Sequence, residues 1–323
     1  MSRLVVAAAL VLTALAAHAQ QHRTESVAVW RAEFPETDFE VATIPLEEIR
    51  ADGATRDSIP PIHEPVFLPV ADIDDIGPME PVLGLTIADD ARAYPLRILL
   101  FHEIVNDTVG GVPVLVTYCP LCNSGVVFDR RLYGQTLDFG NTGRLRHFDM
   151  VMYDHTTESW WQQATGEAVI GALSGARLDL VPARLESLAA FRARAPDGLV
   201  LVPADPAARP YGVSPFAGYD DLPLGRLERP YPLPQGIKPF DRVVVVGNEA
   251  WTLDLLRRER EVAAGDLTLH WQPGQNSLHD APRIAQGRDV GNVTVTRDGQ
   301  DVPYDATFAA TFAAFHPGGV WHR

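Results

Sequence analysis

PVLGLTIADDARAYPLRILL, residues 81–100, decides how the chain is organised, because its pattern returns as RVVVVGNEAWTLDLL at residues 242–256. Each stretch is typical of a strand, a tight acidic turn, a strand with an aromatic residue and a leucine-rich helix. VLVTYCPLCNSG at 114–125 is likewise followed by LTLHWQPGQNSL at 267–278, with Pro, Asn and Ser at matching positions. Recurrence of several motifs in the same order predicts an internal duplication.

The predicted fold is α+β and β-rich, with two duplicated mixed β/α halves packed together and an extended N-terminal segment wrapped around them. Within the first half, RILLFHEIVND (97–107) and RLESLAAFRARAP (184–196) each predict a helix. The predicted parts are a signal peptide (1–19), an extended Pro-rich segment (20–80), a first half with the Cys-x-x-Cys site (81–200), an aromatic, Pro- and Gly-rich crossover loop (201–241) and a second, shortened half (242–323).

The N-terminus, MSRLVVAAALVLTALAAHAQ, has a basic residue, an apolar run from Leu4 to Ala17 and an Ala-His-Ala motif ending at Ala19. This pattern predicts a signal peptide cleaved after Ala19, and hence a periplasmic or secreted protein. An N-terminal membrane anchor is the alternative interpretation. Later segments fall short of the roughly 20 apolar residues of a membrane helix, so no span is expected in the mature chain.

Composition and charge narrow the classes of partner. With 46% hydrophobic and 21% charged residues, the chain is expected to fold around a substantial core. The net charge of -15 argues against binding to nucleic acid, which requires clustered cations. The sequence indicates neither a substrate nor a protein partner.

The chain has two cysteines, Cys119 and Cys122, in the Cys-x-x-Cys spacing that commonly chelates one metal ion. The second copy has Gln272 and Gln275 at these positions, so a structural staple common to both halves is disfavoured. Zinc and copper are both compatible with thiolates. His102 lies in an apolar stretch, where an imidazole needs a specific role. With its neighbour Glu103 it is expected to complete the metal site. The alternative is a core or surface histidine whose hydrogen bonds are made by other groups.

Further ligands or pocket residues are expected from two motifs. In RHFDMVMYDH, strand alternation places Met150 and Met152 on one face, and their thioethers, with His147, suit copper. The same methionines could simply fill a core. In YGVSPFAGYDD, Tyr219 and Asp220 could cap the cysteine loop, or the motif could serve only as a rigid crossover.

Several long motifs together resemble a known family of exported bacterial proteins, designated DUF3179, which has no assigned biochemical activity. They are AYPLRILLFHEIVND, GGVPVLVTYCPLCNSGVVFDR, MVMYDHTTESWWQQATGEAVIG and YGVSPFAGYD, and the resemblance runs from about residue 80 to the C-terminus. The resemblance implies that the chain is a member of this family and leaves its biochemical activity open. The second half is short after Gly299, so the part equivalent to MVMYDHTTESWWQQ is expected to be missing or shrunken.

The predicted function is that of an exported metal-binding protein with a zinc or copper site, and whether it is a metalloenzyme stays open. One alternative is a thiol–disulfide redox protein using the same cysteines. Cys122 is followed by NSGVVFDRR, which is typical of a turn and a strand, so activation of a thiol by a helix N-terminus is poorly supported. The other alternative is a binding or assembly module with a structural disulfide.

Overall fold

A computed structural model of the protein describes residues 26–51, 53–222 and 231–323. The predicted signal peptide, residues 1–19, lies outside these ranges. The described chain is β-rich, with five small sheets of four or five strands in a propeller-like arrangement, one two-stranded hairpin and five α-helices. In the same ranges, every helix is too short to cross a membrane as an apolar span.

The helices all have seven residues, and they are α1 (Val27–Glu33), α2 (Leu96–His102), α3 (Leu188–Arg194), α4 (Leu253–Glu259) and α5 (Ala309–Phe315). The strands are β1 (Ile49–Ala51), β2 (Val66–Pro69), β3 (Pro81–Ile87), β4 (Asp90–Pro95), β5 (Ile104–Val109), β6 (Val112–Cys119), β7 (Ser124–Asp129), β8 (Arg131–Leu132), β9 (Gln135–Thr136), β10 (Phe139–Arg146), β11 (Asp149–Asp154), β12 (Trp160–Gln162), β13 (Glu167–Ile170), β14 (Leu180–Val181), β15 (Arg184–Ser187), β16 (Leu199–Val202), β17 (Arg242–Val246), β18 (Glu249–Thr252), β19 (Glu261–Ala264), β20 (Leu267–Gln272), β21 (Asn292–Arg297), β22 (Gln300–Asp301), β23 (Asp305–Phe308) and β24 (Val320–His322).

The five sheets have the following strand orders. Sheet A is β1-β10-β11-β12-β13, sheet B is β14-β7-β6-β5 and sheet C is β15-β3-β4-β16-β2. Sheet D is β23-β17-β18-β24 and sheet E is β19-β20-β21-β22. Sheet A is built from the residues between β7 and β14 together with β1 of the N-terminal segment.

Sheets C and D share an arrangement. In sheet C, β15 is antiparallel to β3, β3 to β4, and β16 is parallel to β4. In sheet D, β23 is antiparallel to β17, β17 to β18, and β24 is parallel to β18. In each sheet a seven-residue helix joins the two outer strands of this set, α3 in sheet C and α5 in sheet D.

Sheets B and E are alike in three strands and differ in one connection. Both are antiparallel meanders that follow a helix, β5-β6-β7 after α2 and β19-β20-β21 after α4. Cys119 at the end of β6 pairs with Ser124 across a tight turn, whereas Gln272 at the end of β20 pairs with Asn292. The strand partner of Gln272 therefore lies beyond residues 273–291, so Ser277 does not begin a strand as Ser124 does.

Both predicted helices of the first half are shorter than the sequence indicated. The stretch 97–107 is helical only as far as His102, because Glu103 adopts a left-handed conformation (φ 57°) and β-branched residues then form β5. In 184–196, the first four residues are strand β15, and α3 starts after Ser187, whose hydroxyl accepts the N–H of Ala190. Hydroxyl capping of this kind fixes a helix start that periodicity alone misses.

The N-terminal segment contributes to the core and has more regular structure than predicted. The side chains of Trp30 and Phe34, in and just after α1, and that of Phe39 pack around Trp160, with ring centroids 5.1–5.4 Å apart. All four side chains are buried. Burial of aromatic rings at this level contributes roughly 2–3 kcal/mol for each side chain, so sheet A depends on this segment.

Candidate metal centre

The cysteine loop connects two buried strands of sheet B. Cys119 ends β6, and Cys122 lies two residues before β7. Within the turn, the amide of Cys122 donates to the carbonyl of Cys119 (3.3 Å), and Asn123 has a left-handed backbone (φ 53°). The two cysteines form no disulfide, and each has 1% of its surface exposed. The hairpin therefore holds two buried thiols at the end of a sheet.

Asp149 is the third potential ligand, and it was not among the ligands expected from the sequence. One ligand atom each of Cys119, Cys122 and Asp149 lie within 4.8 Å of one another, and all three residues are buried. Asp149 begins β11 of sheet A, so the group joins two sheets. The available signal was its place immediately before the MVMYDHTTESWWQQ motif, since an acidic residue entering a buried strand requires a partner.

The carboxyl group of Asp149 is oriented by residues at the end of that motif and directly after it. Its Oδ1 accepts the side-chain amide of Gln162 (2.5 Å) and the backbone N–H of Ala164 (2.9 Å). The other oxygen, Oδ2, has no hydrogen-bond partner among the described residues, and the Cys122 thiol interacts with the carboxyl group. One oxygen is thus fixed by the protein, and the second remains available beside the thiols.

The electrostatics of the group disfavour negative charge when no cation is bound. Burial raises the pKa of Asp149 to about 7, against the opposing effect of its two hydrogen bonds. The pKa of Cys119 is raised well above its ordinary value by burial, and then by Cys122, Asp149 and Glu103. A divalent cation at this point would reverse these effects, because it stabilises thiolates and a carboxylate together.

A strained turn brings a carbonyl group to the thiols. β10 and β11 are joined by His147 and Phe148, which both have positive φ, 55° and 69°. Such two-residue turns usually contain Asn and Gly, and a bulky residue there is an outlier. The carbonyl oxygen of Phe148 accepts from both sulfurs, 3.2 Å from Cys122 Sγ and 3.7 Å from Cys119 Sγ. Strain of this kind is typical of functional positions.

The two predicted methionines belong to the same buried cluster as the cysteines. Met150 and Met152 pack with Cys119 and Cys122 in one apolar core. Asn141 Nδ2 donates to the thioether sulfur of Met150 (3.2 Å) and to Glu103 Oε2 (2.6 Å). The predicted Glu103 is therefore linked to this cluster through Asn141, and it acts on the pKa of Cys119.

The two predicted histidines make other contacts. Nδ1 of His102 is 2.8 Å from the carbonyl of Pro60, and its Nε2 is 2.9 Å from the hydroxyl of Tyr211. The ring of His147 contacts the Tyr231 hydroxyl (3.0 Å) and the Glu48 carboxylate (3.2 Å). Neither belongs to the group of ligand atoms around the thiols. An apolar surrounding in the sequence could not distinguish a ligand from a histidine that binds a carbonyl.

Tyr219 and Asp220 reach the cysteine loop indirectly, through His279. The Tyr219 ring packs 5.9 Å from that of His279, whose Nε2 is 2.7 Å from the carbonyl of Pro120 inside the loop. Asp220 Oδ2 pairs with Arg242 at 3.1 Å. Sequence reasoning did not identify His279, because 159 residues separate it from Pro120.

The donor set fits a metal ion by its chemistry. Two thiolates and a carboxylate match three of the four ligands of a tetrahedral zinc site, and Cys-x-x-Cys is a frequent zinc spacing. Copper(I) would use the thiolates with a thioether, and Met150 is in the same cluster. In the described residues, the cysteine–aspartate group is the one set of His, Cys, Asp and Glu side chains arranged for such an ion.

Comparison with known proteins gives one match. The chain belongs to the family described as protein of unknown function, DUF3179, which it matches over residues 56–318. This range includes both cysteines and Asp149. No curated protein and no solved structure matches the chain.

Proposed function

We propose that the protein binds one metal ion through Cys119, Cys122 and Asp149. The observation that carries this proposal is the placement of three buried ligand atoms within 4.8 Å. Zinc is the better fit, because a carboxylate is a hard ligand that copper(I) does not favour. Glu103 is the proposed fourth ligand for zinc, and Met150 is the corresponding ligand for copper.

The proposed role of the ion is structural. A catalytic zinc site keeps one position open to water or substrate, whereas a structural site is closed. The thiols are 1% exposed and Asp149 is fully buried, which favours a closed site that fastens sheet A to sheet B.

Metal analysis of the purified protein tests the proposal directly. We expect about one zinc per chain, and loss of the metal in Cys119→Ser and in Cys122→Ser, because one thiolate with Asp149 cannot chelate the ion. The matched control is Gln272→Ala with Gln275→Ala in the second half. Wild-type protein that binds neither zinc nor copper after reconstitution would contradict the proposal.

A thiol–disulfide redox function is the second candidate. It is favoured by one specific observation: the Asp149 carboxyl, with its pKa raised to about 7, interacts with the Cys122 thiol and could accept its proton. This function predicts protein without metal that converts reversibly between dithiol and disulfide in a glutathione buffer. One tightly bound zinc with both thiols protected from alkylation would exclude it.

Export is proposed on the sequence alone, from the pattern in residues 1–19. N-terminal sequencing of protein recovered from the periplasm or the medium tests it, with Gln20 as the expected first residue. Recovery of the intact N-terminus would contradict cleavage.

We also infer that the two halves arose by duplication. Support comes from the shared strand order and direction in sheets C and D and from two equivalent glycines. A Cβ on Gly198 would lie 2.8 Å from the ring of Phe191, and one on Gly319 would lie 2.4 Å from the ring of Phe312. Each glycine follows a seven-residue helix and allows the next strand to pass close to that helix's phenylalanine.

A further inference from the structure

Residues 306–308 of the second half form hydrogen bonds with the cysteine loop. The carbonyl of Cys122 accepts the hydroxyl of Thr307 (2.8 Å) and the amide of Phe308 (3.0 Å). Asn123 Nδ2 donates to the carbonyl of Ala306 (2.8 Å). The sulfurs face Phe148 and Asp149 of the first half, so the loop lies between the two halves.

His279 adds a contact at the centre of the loop. Its Nε2 is 2.7 Å from the carbonyl of Pro120, and its Nδ1 is 3.3 Å from Nη2 of Arg242. A guanidinium can only donate, so Nδ1 must accept and Nε2 must carry the hydrogen that Pro120 receives. The imidazole therefore has one tautomer and one orientation.

Buried charges fix Arg242 in turn. Nη1 of Arg242 is 3.1 Å from Asp220 Oδ2, and its Nη2 donates to the hydroxyl of Ser277 (2.9 Å). Burial, and then the charge of Arg242, lower the pKa of His279 to about 3, so the ring is neutral. The predicted residue Asp220 thus acts on the loop through two intermediates, which gives the YGVSPFAGYD motif a role beyond a crossover.

We propose that His279 is a positioning residue for the metal site: its Nε2–H holds the Pro120 carbonyl and thereby sets the spacing of the two sulfurs. This inference rests on the proposed metal-binding function. It also gives the second half, which lacks cysteines, a part in the site. Groups that hold and orient ligands typically change metal affinity 10- to 100-fold when they are removed.

Two substitutions separate positioning from a purely structural role. In His279→Gln, the side-chain amide can both donate to Pro120 and accept from Arg242, whereas His279→Leu fills the space without polar atoms. We expect zinc affinity, measured by competition with a chromogenic chelator, to fall roughly 10- to 100-fold in the leucine variant and to recover in the glutamine variant. The spectrum of the cobalt-substituted protein should change only in the leucine variant.

A leucine variant that folds and binds zinc with wild-type affinity and spectrum would overturn the inference. If wild-type protein binds no metal, the proposed function fails separately. The effect of His279 on the spacing of the two sulfurs is then tested through their thiol–disulfide equilibrium. The test measures the equilibrium in which glutathione disulfide oxidises the Cys119–Cys122 dithiol and releases two glutathione thiols. The inference stands if this equilibrium constant differs between the leucine and glutamine variants by roughly tenfold or more, and it fails if the two agree.

Discussion

Replacement of Asp149 by Asn should have opposite effects on the metal-free and the metal-bound protein. Burial raises the pKa of Asp149 from its ordinary 3.8 to about 7, so between these values the folded protein keeps a proton that the unfolded chain has lost. Metal-free stability therefore falls as pH rises through this window, by about 1.4 kcal/mol per pH unit and about 4 kcal/mol in all. Asn cannot ionise and keeps the acceptor for Gln162. The variant should thus be more stable than wild type near pH 8 by up to about 4 kcal/mol.

With zinc bound, the variant should be less stable than wild type, because the amide replaces an anionic ligand and the variant loses stabilisation by the metal. The assay is urea unfolding of both proteins at several pH values, with chelator and with excess zinc. Asp305, whose pKa burial raises to about 6, is present in both proteins, so the difference between them reports Asp149 together with its charge interaction with Asp305. The reasoning is refuted if metal-free wild type and Asp149→Asn show the same dependence on pH between about 4 and 8.

Five other substitutions test the site and the fold. In the presence of zinc, Cys119→Ser should lower the melting temperature to that of the metal-free protein. Gln272→Ala, at an exposed position, should change neither the metal content nor the melting temperature. His102→Ala should keep the metal and cost roughly 1–2 kcal/mol for two lost hydrogen bonds, and loss of metal would return His102 to the ligand set. Gly198→Ala and Gly319→Ala should each destabilise by about 1–3 kcal/mol in urea unfolding, and a neutral result in either would contradict the close contact with the phenylalanine ring.

The sequence predicted the β-rich character and the position of the thiols because both depend on local patterns. Alternation and β-branched residues identify a strand such as β6, and the spacing of Cys119 and Cys122 is visible in four letters. Helix ends were less accurate, since the left-handed backbone at Glu103 has no signal in residue type.

The composition of the site could not be predicted to the same degree, because long-range pairing decides it. Asp149 meets the cysteines only after β10 and β11 fold over sheet B, and His279 meets Pro120 across 159 residues. From the sequence, His102 was as suitable a ligand as Asp149, yet its ring nitrogens form hydrogen bonds with Pro60 and Tyr211. A residue's type shows what it can bind, whereas topology determines which partner it has.

The hydrogen bond from Thr307 to Cys122 has a consequence for biosynthesis. The two residues are 185 positions apart, so the cysteine loop cannot reach its final conformation until the ribosome has passed residue 307. Long-range contacts of this kind form late in folding. An ion captured earlier by the nascent hairpin would bind without Thr307, Phe308 and His279 in place. Metal binding in the final geometry is therefore expected only after Thr307 and its neighbours have folded against the cysteine loop.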